Sequence, residues 1–303
     1  MRTVYLGTSP FAAAVLRLLA ASDHRPALVV TRPDAPHGRG RRLAAPPVAD
    51  AARELGIEVD QPESVNAPDA RGRIAAADPE TVCVCAFGAL IKEPLLSEHP
   101  MLNVHPSLLP RWRGAAPIER AIAAGDERTG VAIMRPVAEL DAGPVCLQAA
   151  ETIGPDDDFG SLSARLEVLA GHLLARALDE RPPFRAQPGE GVTFAPKITP
   201  AERELRPEEG AVALGRRVRA LNPHVGTHVT VDGGERLGVL RARAQIGDPD
   251  APATGELRAR GEHLLLGTPD GTLDLLEVRP AGGRPMDAAS YLRGRGAGLA
   301  ATG

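Results

Sequence analysis

Asn103 and His105 lie two residues apart in Met101-Leu102-Asn103-Val104-His105-Pro106, a short apolar run closed by a proline. In an extended segment, residues i and i+2 point the same way, and Pro106 has no N–H with which to continue a ladder. The spacing therefore sets an amide and an imidazole side by side at the carboxyl end of a strand. Open α/β sheets bind their ligands at such ends. Both groups hold N–H donors, and fixed donors suit an oxygen that gains negative charge during a reaction. Taken alone, a histidine at a strand end is more often structural. Ser107 is a poor nucleophile, because no base is identifiable as its partner. Cys83 and Cys85 form a Cys-x-Cys pair, but a metal would need two more ligands and none is in sequence reach. They read as buried apolar thiols, and no metal is expected.

The elements that must hold these residues follow from pattern. Thr3–Leu6 reads as a strand, Gly7-Thr8-Ser9-Pro10 as a turn, and Phe11–Ala21 as an amphipathic helix capped by Thr8 or Ser9. Strand, turn and helix in that order open a nucleotide-type α/β unit, but no G-x-G-x-x-G is present, so a dinucleotide is not supported. Val82-Cys83-Val84-Cys85-Ala86 is a continuous apolar run, as expected of a central parallel strand covered on both faces. Phe87, Gly88 and Leu90 follow at its carboxyl end and either line a pocket or pack the core. Strands are expected at Thr129–Met134 and Val145–Ala149, with Leu140-Asp141-Ala142-Gly143 as the loop between them. Leucines at helical spacing mark Phe159–Asp179 as a long helix. Periodicity then fails over residues 184–205, which reads as a linker. A helix over Pro207–Leu221 and regular short strands to Val278 suggest a second, small barrel domain.

Two segments concern phosphate. Arg32–Leu43 contains Arg39, Arg41 and Arg42 among prolines and glycines, and it is expected to form a surface loop without regular structure. Such a loop is either a solvated turn or a grip for phosphates. Lys197, in an extended stretch of the linker, is one lysine among carboxylates and is weak evidence taken alone. Net charge is −4 over 303 residues, so whole-chain electrostatics do not announce a nucleic-acid binder and any such binding needs local patches. A hydrophobic fraction of 43% allows a sizeable core, built mostly from Ala, Leu, Val and Ile because there are only five Phe, two Tyr and one Trp. The apolar runs fall far short of the roughly 20 residues of a membrane span. Three cysteines make no disulfide framework, and the chain enters its first strand without a signal-peptide pattern, so a cytoplasmic, reducing compartment is expected.

Asn103-Val104-His105-Pro106-Ser107-Leu108-Leu109-Pro110-Arg111-Trp112-Arg113-Gly114 closely resembles the catalytic segment of the folate-dependent formyltransferases. The resemblance extends to Asp141 in Leu140–Gly143, to Gly38–Leu43 near the front and to Gly282–Met286 near the end. Matches at both ends are similar to the branch that acts on methionyl-tRNA. Pro106 is a departure, since many relatives have Gly there; it stiffens the segment and removes no functional group.

The resemblance implies an α/β fold: a Rossmann-like doubly wound, mostly parallel sheet, followed by a small OB-like β-barrel domain. It implies a catalytic domain over 1–183, the linker over 184–205, and a tRNA-binding barrel over 206–303. The implied reaction moves a formyl group from 10-formyltetrahydrofolate, the co-substrate, to the methionine α-amino group of initiator methionyl-tRNA. Asn103 and His105 would donate to the oxyanion, and Asp141 would orient the imidazole or help move the proton lost by the amine. Ser107, Leu108, Leu109 and Pro110, with Phe87, Gly88 and Leu90, would contact folate. Arg39, Arg41, Arg42 and Lys197 would contact tRNA. A monomer is the family expectation. The rivals are a formyltransferase for amino sugar nucleotides, the glycinamide ribonucleotide enzyme, and a binding module that has lost catalysis.

Overall fold

The computed structural model describes residues 1–37, 42–231 and 234–295; Arg39 and Arg41 lie outside the described residues. The chain divides into two compact units, one of residues 1–117, 128–152 and 163–195, the other of residues 118–127, 153–162 and 196–303.

In chain order, β1 (Thr3–Gly7) leads to α1 (Pro10–Ala20) and β2 (Pro26–Val30). Next come β3 (Ala35–His37), β4 (Arg42–Ala44), α2 (Pro47–Glu54), β5 (Glu58–Asp60), α3 (Pro68–Ala76) and β6 (Thr81–Cys85). A single turn, α4 (Leu95–Glu98), precedes β7 (Met101–His105) and the two-residue β8 (Arg113–Gly114). Then follow α5 (Pro117–Ala124), β9 (Arg128–Met134), β10 (Val145–Thr152), α6 (Phe159–Glu180) and the two-residue β11 (Phe194–Ala195).

The first unit is built on a seven-stranded sheet in the order β10-β9-β7-β6-β1-β2-β5. The five strands from β7 to β5 run parallel, and β9 and β10 extend the sheet antiparallel. Every residue of β1 and β6 is buried, as their uninterrupted apolar sequences require of strands covered on both faces. Chain order reverses between β1 and β6, and the crevice at the carboxyl ends of such a pair is where doubly wound sheets bind ligands. There the Thr8 hydroxyl donates to the Phe87 carbonyl at 2.7 Å. Helix α1 begins as its sequence dictates: the Ser9 hydroxyl accepts from the Ala12 N–H at 3.2 Å, and Pro10 occupies the first turn. Gly171 lets α6 approach α1, since a Cβ there would meet the Leu18 side chain at 2.5 Å.

The structure differs from expectation at Arg32–Leu43. Ala35, Pro36 and His37 pair with Ala44, Leu43 and Arg42 as an antiparallel hairpin. A two-stranded ribbon has free edges, so Pro36 costs it no ladder bond that a central strand would need.

The second unit continues with two 3₁₀ turns (Pro200–Arg203 and Pro207–Glu209), α7 (Ala211–Leu221), β12 (Thr227–Val231) and β13 (Glu235–Ile246). It ends with β14 (Leu257–Arg260), β15 (His263–Thr268), β16 (Gly271–Arg279), β17 (Met286–Asp287) and α8 (Ala288–Arg295). Its sheet is antiparallel, in the order β12-β13-β16-β15-β14 with β17 also on β16. This suits the partly open barrel expected of an OB-like domain. Leu214, Val218, Val229, Val239, Leu264, Leu273 and Leu275 form its core. The helix expected over Pro207–Leu221 is interrupted. Gly210 takes a φ of +83°, and the Asp270 carboxylate accepts from the Ala211 N–H at 2.7 Å, so α7 starts there.

Candidate active site

Strand β7 places Asn103 opposite Met134 of β9 and Val84 of β6, and His105 opposite Ala132. Asn103 is half-buried, His105 is buried, and they share one face of the strand at its carboxyl end. Among the described residues the Asn103 amide has no hydrogen-bond partner. His105 Nε2 lies 2.8 Å from the Trp112 carbonyl oxygen. A carbonyl only accepts, so Nε2 bears the proton, and in the neutral ring Nδ1 is the open nitrogen. Nδ1 faces Asp141 Oδ2 at 3.6 Å, which is charge-pairing range and longer than a hydrogen bond.

Asp141 reaches this point from the β9–β10 loop with its backbone in the left-handed region, φ +48°. Its Oδ2 accepts from the Gly114 N–H at 2.9 Å. Gly114 belongs to β8, which pairs parallel with β11. Gly114 has φ +129°, and a Cβ there would meet the Ala195 carbonyl oxygen at 2.6 Å, so no larger residue fits without displacing β11. The segment between β7 and β8 is also held: the Ser107 hydroxyl donates to the Arg111 carbonyl at 2.6 Å, and the Trp112 N–H donates to the Thr193 hydroxyl at 2.8 Å. The Arg111 guanidinium stacks over the Trp112 ring at 4.4 Å.

The expected pocket residues divide by environment. Ser107 and Leu109 are buried, and Leu109 packs with Ala132 and Met134. Leu108 and Pro110 are half-buried, and Gln148 donates its amide to the Leu109 carbonyl at 3.1 Å. Phe87 is buried in the cluster of Val4, Leu6, Val82 and Val84, whereas Gly88 is exposed with φ +74° and Leu90 is 59% exposed. A large apolar side chain at the carboxyl end of β6 is thus open to contact. Arg42 and Lys197 are exposed, Arg42 on the hairpin of the first unit and Lys197 in the second unit. Burial pushes the Cys83 and Cys85 thiols up to about 12, so both are neutral packing groups. Among the described residues, no group of three or more His, Cys, Asp or Glu could hold a metal ion, and no helix is long and apolar enough to cross a membrane.

The sequence alone did not single out Arg113 or Gln187. Arg113 is buried, and its Nε and Nη2 both donate to Gln187 Oε1, at 3.0 and 2.8 Å. Gln187 lies in a turn-like Gln-Pro-Gly stretch, and its contacts 44 to 74 residues away leave no local signal.

An oxyanion-type amide and a histidine backed by a carboxylate at the carboxyl end of β7, with a half-open apolar wall at the neighbouring end of β6, suit acyl transfer to a nucleophile supplied by the substrate. The family model for formyl transferase matches residues 1–178, and that for the formyl transferase C-terminal domain matches residues 197–296. The chain belongs to the formyl transferase family. It is 42% identical over 301 residues to the methionyl-tRNA formyltransferase of Methylococcus capsulatus, covering 96% of each chain. It is 43% identical over 305 residues to the methionyl-tRNA formyltransferase of Halorhodospira halophila, covering 97% of this chain and 96% of that one. Among solved structures it is similar in fold to HypX from Aquifex aeolicus in complex with tetrahydrofolic acid, with a TM-score of 0.62 and 20% identity. That match covers 99% of this chain and 48% of HypX, so the chain spans about half the length of that protein.

Proposed function

We propose that this chain transfers the formyl group of 10-formyltetrahydrofolate to the α-amino group of methionine on initiator tRNA, for the start of translation in the cytoplasm. The end-to-end likeness to methionyl-tRNA formyltransferases carries this reading, at 42% identity over 96% of both chains. The gathering of Asn103, His105 and Asp141 at one strand end supports it.

The nucleophile needs little activation, because an α-amino group has a reference pKa of about 7.7–8.0 and is partly neutral at cytosolic pH. The amine nitrogen attacks the formyl carbon, and the carbonyl oxygen gains negative charge. Asn103 donates its unpartnered amide N–H to that oxygen. His105 acts through Nδ1, since Nε2–H is held by Trp112. Nδ1 accepts the proton released by the amine and, once protonated, is an N–H donor beside the oxyanion. Asp141 stabilises that charged ring. Collapse of the intermediate breaks the bond from N10 to the formyl carbon, and the proton passes to the leaving folate nitrogen. No acyl-enzyme is required.

Folate lies against Ser107–Pro110 and the Phe87, Gly88 and Leu90 edge. Residues 1–183 form the catalytic domain, 184–205 the linker and 206–303 the tRNA-binding domain of a monomer. Arg39, Arg41, Arg42 and Lys197 contact tRNA phosphates.

The test is formyl transfer from 10-formyltetrahydrofolate to initiator methionyl-tRNA, run beside an amino sugar nucleotide and glycinamide ribonucleotide. Formylation of the tRNA alone is expected. Turnover of a small amine without the tRNA would overturn the assignment.

A further inference from the structure

We infer that Gln187 is a positioning residue for Asp141, acting through the backbone of the β9–β10 loop. This rests on the formyltransferase reading of the site. The Gln187 amide makes four contacts of two opposite kinds. Its Nε2 donates to the Asp141 carbonyl at 2.7 Å and to the Gly143 carbonyl at 2.8 Å. Its Oε1 accepts from Arg113 Nε at 3.0 Å and Nη2 at 2.8 Å. The partners fix the amide orientation, because flipping it would set N–H groups against a guanidinium and an oxygen against two carbonyls.

The two carbonyls are those of Asp141 itself and of the residue two further on. Asp141 has φ +48°, a conformation that a non-glycine residue keeps only when its surroundings impose it. The loop is closed on its other side at Gly143, where a Cβ would meet the Arg135 carbonyl oxygen at 1.8 Å. One side-chain amide thus clamps both ends of the turn that aims the carboxylate. Arg113, which holds that amide, neighbours Gly114, whose N–H binds the carboxylate at 2.9 Å. Backbone and side chain of Asp141 are therefore positioned from the same two-residue strand, the first by way of Gln187. Arg113 also faces Glu139 at 3.6 Å, which ties the start of the loop to the same guanidinium.

Gln187→Glu separates this role from mere bridging. A carboxylate keeps, and strengthens, the contact with Arg113 but has no N–H for the two carbonyls. The experiment compares wild type, Gln187→Glu, Gln187→Leu, Asp141→Ala and the double variant Gln187→Leu/Asp141→Ala. It reads kcat, KM for folate and the His105 ring signals in NMR. The expected result is a loss of kcat on the order of tenfold to a hundredfold in both Gln187 variants, the scale of a misplaced catalytic group. KM for folate should stay within about twofold, and Gln187→Leu should add nothing in the Asp141→Ala background. The His105 ring signals in Gln187→Glu should move toward those of Asp141→Ala. Losses that multiply in the double variant, a Gln187→Glu enzyme at wild-type kcat, or unmoved His105 signals would overturn the inference. The NMR readout decides it even if the wild-type chain formylates none of the substrates, an outcome that would sink the functional reading instead.

Discussion

Asn103 and His105 sit two residues apart and divide the work unequally, because His105 Nε2 is engaged by the Trp112 carbonyl at 2.8 Å whereas the Asn103 amide has no partner among the described residues. In the proposed reaction that unpaired donor serves the oxyanion. Asn103→Ala should therefore lower kcat by roughly 10²–10³, the usual cost of removing one oxyanion donor. Its KM for folate and its thermal midpoint should stay near wild type, as steady-state kinetics and a melting curve would show. The three thiols give the opposite expectation. Cys83 and Cys85 are pushed up to about 12 by burial, and burial also raises Cys146, so almost no thiolate exists near pH 8. Native protein should react with a thiol reagent slowly or not at all, and unfolded protein should react at all three sites. Fast modification of Cys83 or Cys85 in the native state would contradict the packing of β1 against β6. Much at this scale was legible in the sequence: Pro106 ends a strand by its missing N–H, and the period of two puts Asn103 and His105 together. The His105 tautomer was not, because its partner Trp112 sits in a segment that turns back with φ +64°.

Short elements rather than long ones aim the site. The pair β8 and β11 comprises two residues each, yet it delivers the Gly114 N–H to Asp141. Gly114→Ala combines a disfavoured φ with a Cβ 2.6 Å from the Ala195 carbonyl oxygen. It should cost on the order of 1–3 kcal/mol in urea unfolding. It should also lower kcat more than Ser22→Ala, which loses a hydroxyl that donates to the Leu19 carbonyl and accepts from the His24 N–H just past α1. Equal effects on kcat would mean that β8 only fills space. Long elements were readable because they repeat a local period: β6 as an all-apolar run, α6 as leucines at helical spacing. The β3–β4 hairpin was missed because its prolines and glycines mimic an irregular loop. The break at Gly210 was missed because Asp270, which caps α7, lies 59 residues away from Ala211. Gln187 was missed for the same reason, since it is defined by long-range partners alone.

Charge is the property that only the whole molecule has. The net charge of −4 opposes a polyanion, so any tRNA affinity must come from individual cations, and several of these, Arg120, Arg217 and Arg260 among them, are already paired. Arg120, for example, binds Glu202, whose carboxyl is held down at about 2 by that hydrogen bond and by the Thr199 N–H, against desolvation that pushes it up. A carboxyl with a lowered folded pKa stabilises the fold fully above its ordinary value of 4.5, and the contribution is lost as pH falls from there toward 2. Arg120→Ala should therefore raise the midpoint of acid unfolding and narrow its separation from the ordinary carboxylate range, measured by circular dichroism. A guanidinium so engaged is a poor candidate for phosphate. Arg42 and Lys197 differ: both are exposed, and neither has an ion pair among the described residues. If each meets one tRNA phosphate, each releases about one counterion, and the slope of log kcat/KM for methionyl-tRNA against log salt falls by roughly 0.7–0.9 per removed cation. Arg42→Ala/Lys197→Ala should flatten that slope by about 1.4–1.8 and raise KM for tRNA most at low salt. KM for 10-formyltetrahydrofolate should be unchanged at every salt concentration, because the proposed folate contacts include neither side chain. An unchanged slope with a uniform loss of activity toward both substrates would assign these two residues to the fold and leave the tRNA contact to other cations.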